Sequence, residues 1–323
     1  MLQLALIGLG GWGRKLVESV QGVSPDVRFS TAIVRRTDTA AQFAQKHGLK
    51  LETDIAGTLR DPAISGFVSS GPAHLHGAHG LQVLEAGKHL LAIKPLTLTA
   101  SEGRAMLSAA GQRNSILALG YNRCFYPNVI EMRRRIRAGD LGELVHAEGD
   151  FCVDRYRAIK PGAWKGDPAR QPAGALADHM LYLTIDTLGP IAEVHALGFR
   201  HHSENELADT TAVMLRTQNR QSALLTAIGV TPDYYRFQIF GTGGWIELRD
   251  DAHFAFQPLK GERETLVFPS IDAERAEVEA FAAAIAGKQP FPVPAADAAH
   301  SAAVIEAMGR SALESRPVLV DQV

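Results

Sequence analysis

The sequence predicts an α/β chain in two parts. The first is a parallel sheet covered by helices; the second is an α+β domain built on an open, mostly antiparallel sheet. Three observations carry this reading. Up to about residue 120, short apolar runs alternate with helical stretches. Beyond residue 190, strand-like runs follow one another with short connections. A length of 323 residues at 46% hydrophobic content is enough for two cores.

In the first part, strands are expected at 2–7, 29–34, 67–70, 89–93 and 116–119, with helices at 14–20, 39–47, 75–86 and 101–110. Thr99 and Glu102 have the spacing of a capping box, in which a hydroxyl accepts from a free helix N–H and a carboxylate reaches back. After Gly120 a helix is expected at 128–138 and a strand at 145–151. An irregular stretch with Pro161, Gly162, Pro168, Pro172 and Gly174 follows, then a short helix at 175–188. Strands come next at 193–199, 210–216, 222–230, 236–240, 245–249, 253–257 and 265–268; helices at 273–286 and 295–311 close the chain. The division falls at 1–121 and 122–323, with the last helices returning to the first domain.

Charge narrows the partners. A formal net charge of -2 lacks the basic excess of a nucleic-acid binder. The basic run Arg133, Arg134, Arg135 and Arg137 lies in a helical pattern and reads as a solvated helix face. No basic, apolar and small-residue leader precedes the first strand, and no apolar run reaches a bilayer's thickness. Cys124 and Cys152 make no disulfide framework. A cytoplasmic, reduced protein without membrane or nucleic-acid partners is expected.

The loop Gly8-Leu9-Gly10-Gly11-Trp12-Gly13 sits between a strand ending at Ile7 and a helix starting near Arg14. Glycines there let the backbone turn tightly and approach a pyrophosphate, which the helix N-terminus then meets with free N–H groups. The first domain is thus expected to be a Rossmann domain. At the end of the second strand an acidic residue would hold the ribose 2′-hydroxyl of NAD. Arg35 and Arg36 stand there instead, and a guanidinium grips a 2′-phosphate with paired hydrogen bonds. NADP is therefore favoured over NAD. Ile93-Lys94-Pro95 ends the fourth expected strand on the ligand edge of the sheet, where Lys94 can polarise a substrate oxygen.

These segments stand in order with Ser70-Gly71-Pro72-Ala73-His74-Leu75-His76, Glu85-Ala86-Gly87-Lys88-His89, Gly120-Tyr121-Asn122-Arg123, Asp209-Thr210-Thr211, Gly241-Thr242-Gly243-Gly244-Trp245 and the helix from Glu277. Together they resemble the glucose–fructose oxidoreductase / inositol dehydrogenase / rhizopine catabolism (Gfo/Idh/MocA) family over essentially the whole chain. The resemblance implies NAD(P)-dependent oxidation or reduction of a sugar, polyol or related alcohol or ketone. It also implies a homodimer or homotetramer formed through the C-terminal sheet. Ser70, Pro72 and His76 join the cofactor site by the same resemblance, and Asn122, Arg123, Trp164 and Lys165 the substrate side.

Two positions depart from the family pattern. Its Glu-Lys-Pro reads Ile93-Lys94-Pro95 here. Its Asp and, four residues on, acid/base His map onto Asp178 and Tyr182 counted from Pro172, but onto His179 counted back from Leu188-Gly189-Pro190. His179 titrates in the useful range and is preferred as base, with Tyr182 next and Asp178 orienting. His179, Tyr182 and Asp186 are expected on one polar helix face. A cofactor-binding regulator that has lost turnover is the alternative. His74, His76 and His79 lack a carboxylate or cysteine at ligand spacing, so no metal is expected. His201 and His202 read as a solvated strand end.

Overall fold

The computed structural model describes residues 1–163, 166–168, 178–202, 204 and 206–321. Two compact units emerge. One comprises Met1–Thr97, Ser101–Asn122 and Asp272–Ala299; the other comprises Leu98–Ala100, Arg123–Ile271 and His300–Val323.

The first unit begins β1 (Leu2–Ile7), α1 (Gly11–Val20), β2 (Val27–Ile33), α2 (Ala41–His47), β3 (Lys50–Glu52), α3 (Ile55–Leu59) and β4 (Gly66–Ser69). A 3₁₀ turn (Ala73–Leu75), α4 (His76–Glu85), β5 (His89–Ile93), α5 (Ala100–Arg113) and β6 (Leu117–Gly120) follow. The six strands are all parallel in the order β3-β2-β1-β4-β5-β6. Because β1 lies between β2 and β4, the chain changes direction across the sheet there, and a crevice opens at the strands' carboxyl ends. Small residues bring the layers together: a Cβ on Gly80 would lie 2.5 Å from Met106 Cε and 2.9 Å from Leu90 Cδ2. Sequence reading missed β3 and α3, which are too short to show a period. It began α1 at residue 14, three residues late, because the glycines of its first turn carry no helical signal.

The second unit holds a 3₁₀ turn (Asn122–Phe125, whose first residue belongs to the first unit), α6 (Pro127–Arg137), β7 (Leu144–Cys152), a turn at Tyr156–Ala158 and α7 (Asp178–Leu188). Then come β8 (Ile191–Phe199), β9 (Thr210–Thr217), β10 (Ser222–Ile228), β11 (Tyr234–Gly241), β12 (Gly244–Arg249), β13 (His253–Pro258) and β14 (Glu264–Val267). Helices α8 (Ala273–Ile285) and α9 (Ala295–Glu314) and strand β15 (Val318–Leu319) end the chain. Nine strands form one sheet, β14-β13-β12-β11-β7-β10-β9-β8-β15, antiparallel throughout except for β7 against β10. On β7, Ala147, Gly149 and Phe151 are buried, and α7 packs so close that a Cβ on Gly149 would lie 2.7 Å from Met180 Cβ. The other face carries Arg236 bonded to Asp150 (2.9 Å) and Glu148 (2.6 Å), with Met214 and Leu224 paired and about half exposed.

Two expectations are corrected. The basic run on α6 is not a uniformly solvated face: Arg133 donates to Asp186 (2.7 Å) and to the Cys124 carbonyl (3.1 Å), and Arg135 bonds Glu131 and Glu264. Arg134 and Arg137 alone of the four are exposed. The polar face foreseen on α7 is likewise absent, for Tyr182 is 1% exposed and Asp186 is spent on Arg133. Residues 175–177 of the expected helix lie outside the described residues.

Helix α8 packs on α1 and β2 of the first unit, contributing Val278, Phe281 and Ala282 to its core. Beside them sits Glu277, fully buried, with neither carboxyl oxygen hydrogen-bonded among the described residues. Burial, and secondarily the charge of Glu274, holds its pKa well above the ordinary carboxylate value. The neutral acid is thus the folded form. Its contribution to stability is complete below the ordinary carboxylate pKa and declines as pH rises toward the raised one, at about 1.4 kcal/mol per pH unit in that window. Glu277→Gln should abolish this decline. Thermal unfolding followed from pH 5 to pH 9 should show the variant gaining on the wild type as pH rises; parallel curves would contradict the assignment.

Candidate active site

In the first unit the glycine loop closes a cradle without side chains. Gly8 takes a positive φ of 94°, and a Cβ on it would lie 2.9 Å from the Gly71 backbone. A Cβ on Gly13 would lie 2.3 Å from the Gly8 carbonyl oxygen and 2.8 Å from Ser70 Oγ. Gly10 and Gly11 are the opposite case, since a Cβ on either would meet nothing within 4 Å. Gly10 is the N-cap of α1 and no side chain caps the helix, so its first N–H groups remain available beside open space. Ser70 Oγ donates to the Gly8 carbonyl at 2.7 Å and locks the β4 end against the loop. A dinucleotide pyrophosphate fits this arrangement: close backbone approach, free donors and the positive end of a ten-residue helix.

Arg35 and Arg36 follow β2 directly and are exposed. Arg36 has a loose contact with Asp38 (4.0 Å), while no ion pair engages Arg35 among the described residues. Arg14 stands nearby, donating to the Thr39 carbonyl (3.1 Å) and lying 5.0 Å from the Phe43 ring centre.

Lys94 directly follows β5, half-buried, its N–H donating to the Gly120 carbonyl at 3.2 Å, and the Lys94-Pro95 peptide is cis. His76 ties this segment to the β4 turn. Its Nδ1 lies 2.8 Å from the Pro95 carbonyl oxygen and its Nε2 3.0 Å from that of Gly71. Burial lowers its pKa, and a neutral ring donates to one of the two carbonyls. His76 therefore clamps Gly71 and Pro95, its ring buried by the folded turn. Pro72 precedes the Ala73–Leu75 turn, half-buried.

Glu274, at the start of α8, was invisible as a site residue. Its Oε1 accepts from Lys15 Nζ (2.5 Å) and Asn122 Nδ2 (3.0 Å), and Lys15 Nζ lies 4.9 Å from the Trp12 ring centre. One carboxylate thus joins Lys15, just after the glycine loop, to Asn122, at sequence separations of 259 and 152 from Glu274. No local pattern announces a contact of that range.

In the second unit, His179 is in the first turn of α7 and stacks on Phe151, with ring centres 3.9 Å apart and planes 9° from parallel. Asp178, in the same turn, is half-buried. The Arg123 guanidinium lies 4.9 Å from the same Phe151 ring, 4.3 Å from Tyr235 and 5.8 Å from Tyr126. Burial raises the Tyr235 pKa to about 12, so its phenol is neutral. Trp164 and Lys165 lie outside the described residues. Among the described residues no cluster of His, Cys, Asp or Glu is arranged to hold a metal, and no helix is long and apolar enough to cross a membrane.

Other motif residues are fold devices. Lys88 Nζ donates to the carbonyls of Asp61 (2.9 Å) and Ile64 (2.7 Å), and His89 Nδ1 accepts from Ile116 N–H (2.9 Å). Asp209, 1% exposed, accepts the N–H groups of His201 (2.8 Å) and His202 (2.6 Å), both exposed themselves. The Gly241–Gly244 hairpin receives Leu141, whose carbonyl leaves no room for a Cβ on Gly241.

A parallel sheet in this strand order, with an uncapped glycine helix start at its switch point, has the architecture of a dinucleotide-binding domain, and a large, mostly antiparallel sheet follows it. Residues 2–121 match the family model "Oxidoreductase family, NAD-binding Rossmann fold", and residues 129–247 match "GFO/IDH/MocA C-terminal domain". The chain belongs to the Gfo/Idh/MocA oxidoreductase family. It is 24% identical over 287 residues to 4-carboxy-2-hydroxymuconate-6-semialdehyde dehydrogenase of Sphingobium sp., covering 86% of this chain and 87% of that one. It is 24% identical over 268 residues to scyllo-inositol 2-dehydrogenase (NADP(+)) of Bacillus subtilis, covering 82% and 71%. A levoglucosan dehydrogenase structure in complex with NADH superposes with a TM-score of 0.88 at 21% identity, covering all of both chains.

Replacing Gly13 by alanine should force the Gly8 carbonyl and Ser70 apart. We expect a loss of about 1–3 kcal/mol of stability and at least a tenfold weaker cofactor affinity, read by thermal unfolding and by quenching of Trp12 fluorescence.

Proposed function

We propose that this chain is a dehydrogenase or reductase that prefers NADP and acts on the CH–OH group, or the corresponding ketone, of a sugar, cyclitol or related alcohol. The observation that carries the reading is the cradle of bare backbone at the β1–α1 turn, with Lys94 at the end of β5 in the same unit. When bound, the nicotinamide supplies or accepts the hydride. Gly8, Gly10, Gly11, Trp12 and Gly13 hold the pyrophosphate side, with Ser70 and Pro72 at the neighbouring turn. Arg35, with Arg36, meets a 2′-phosphate. The relatives include enzymes named for NADP and for NADH complexes, so the preference rests on these arginines.

Lys94 places a positive charge on the substrate oxygen and stabilises the charge that develops there. His179 takes the proton as base. Its half-buried side chain, stacked on Phe151, suits proton exchange better than the Tyr182 side chain, which is 1% exposed. Asp178 orients, and Asn122, Arg123, Trp164 and Lys165 serve substrate binding. The exposed sheet face with Met214 and Leu224 serves assembly into a homodimer or homotetramer.

A panel of sugars, cyclitols and ketones assayed with both cofactors tests the reading, and NADPH binding without turnover of any of them would favour a sensor. Lys94→Ala should lower kcat by about 100-fold or more while leaving the NADPH dissociation constant within twofold of the wild type; unchanged turnover would sink the role given to Lys94. Arg35→Asp should shift the NADP/NAD affinity ratio toward NAD by about tenfold or more, since a bidentate phosphate contact becomes a repulsion. An unaltered ratio in equilibrium titrations would remove the argument for NADP.

A further inference from the structure

Arg123 is half-buried, yet no carboxylate among the described residues pairs with it. Three aromatic rings surround its guanidinium, and among the described residues it makes no ion pair. Its Nε is buried without a hydrogen-bond partner, while the terminal nitrogens are not among the sealed polar atoms. Four carboxylates on neighbouring elements are engaged by other arginines. Asp150 and Glu148 bond Arg236, Asp154 bonds Arg157, and Asp186 bonds Arg133. Residues 164–165 and 169–177, outside the described set, contain no Asp or Glu.

A guanidinium walled by rings gains most from an anion bound at its unsealed terminal nitrogens, because screening is weakened there and no ion pair among the described residues neutralises it. The rings also fix its plane, so little freedom is lost when a bidentate ligand docks. Its position gives that anion a purpose. Phe151 carries the Arg123 guanidinium at 4.9 Å and the stacked His179 ring at 3.9 Å, so the cation and the proposed base are one ring apart. A ligand gripped at Arg123 by one end thus has its next few carbons within reach of His179.

We propose that Arg123 is the receptor for a carboxylate on the substrate, so that the alcohol or ketone this enzyme acts on is itself an acid: a sugar acid or another hydroxy or keto carboxylate. The inference rests on the oxidoreductase reading above and names its substrate class. A single fork matches a singly charged carboxylate in charge and shape, whereas a phosphate ester of nearly two charges would call for a second cation.

The test uses the full-length protein with NADP and pairs of probes that differ in one carboxylate: D-glucuronate against D-glucose, and D-gluconate against D-glucitol, with D-glucose 6-phosphate as a third arm. Two readouts are taken, kcat/KM and the thermal stabilisation of the NADPH-loaded protein by each probe. The acid of at least one pair should exceed its neutral partner tenfold or more in kcat/KM and should be the one that stabilises. Arg123→Met should collapse that ratio, and Arg123→Lys should restore only part of it, with NADPH affinity unchanged in both. Equal or better use of the neutral probes overturns the proposal, as does a ratio that survives Arg123→Met. A preference for D-glucose 6-phosphate overturns the carboxylate assignment. Stabilisation of the wild type but not of Arg123→Met by the acids, without turnover of any probe, would uphold the receptor and reject the oxidoreductase reading instead. Turnover of neutral probes alone would do the reverse.

Discussion

Where α1 leaves β1, two backbone segments meet with no side chain between them. The Gly8 carbonyl lies where a Cβ on Gly13 would stand, the Gly71 backbone where one on Gly8 would stand, and Ser70 Oγ closes the contact with a 2.7 Å hydrogen bond. This close approach fixes the ends of β1 and β4 at the sheet's switch point and leaves the N-terminus of α1 bare. Much else in the first unit braces it. His76 clamps Gly71 to Pro95 and so links the cradle's rim to the segment carrying Lys94. Glu274 links Lys15, and through it Trp12, to Asn122.

Charge is allotted in the second unit with a similar economy. Arg133, Arg135 and Arg236 are each matched by carboxylates at hydrogen-bond distance, and these pairs join α6 to α7, α6 to β14 and β11 to β7. Such partly buried pairs fix relative position more than they add stability. Arg35 and Arg123 stand apart, one exposed at the end of β2 and the other boxed by rings, both without an acidic partner among the described residues.

Much of this was legible from residues alone, for a physical reason. Strands β1 and β5 have the bounds their apolar runs suggested, since a short, largely apolar run closed by Gly8 or, one residue on, by Pro95 has few other ways to fold. The glycine loop was legible because only bare backbone satisfies its geometry. Short elements such as β3 and β15 exist through pairing with β2 and β8 and leave no local trace. The surroundings of α7 were misread because amphipathic spacing shows which residues share a face, not what covers it. Tyr182 shares its face with Asp186, yet one is sealed in the core and the other is held by an arginine from α6.

The sequence by itself determined the class of fold, the glycine loop between β1 and α1, the arginines at the end of β2 and the place of Lys94 after a strand end. Each of these follows from a few adjacent residues and the backbone they allow. Tertiary structure decided which side chains are spent on holding the fold and which remain for chemistry. It turned His76 into a clamp, gave Glu274 to Asn122, matched Arg133 with Asp186 and left Arg123 among three rings. Those outcomes depend on partners tens to more than a hundred residues away, and a side chain's charge acquires its role only when the fold has settled what stands beside it.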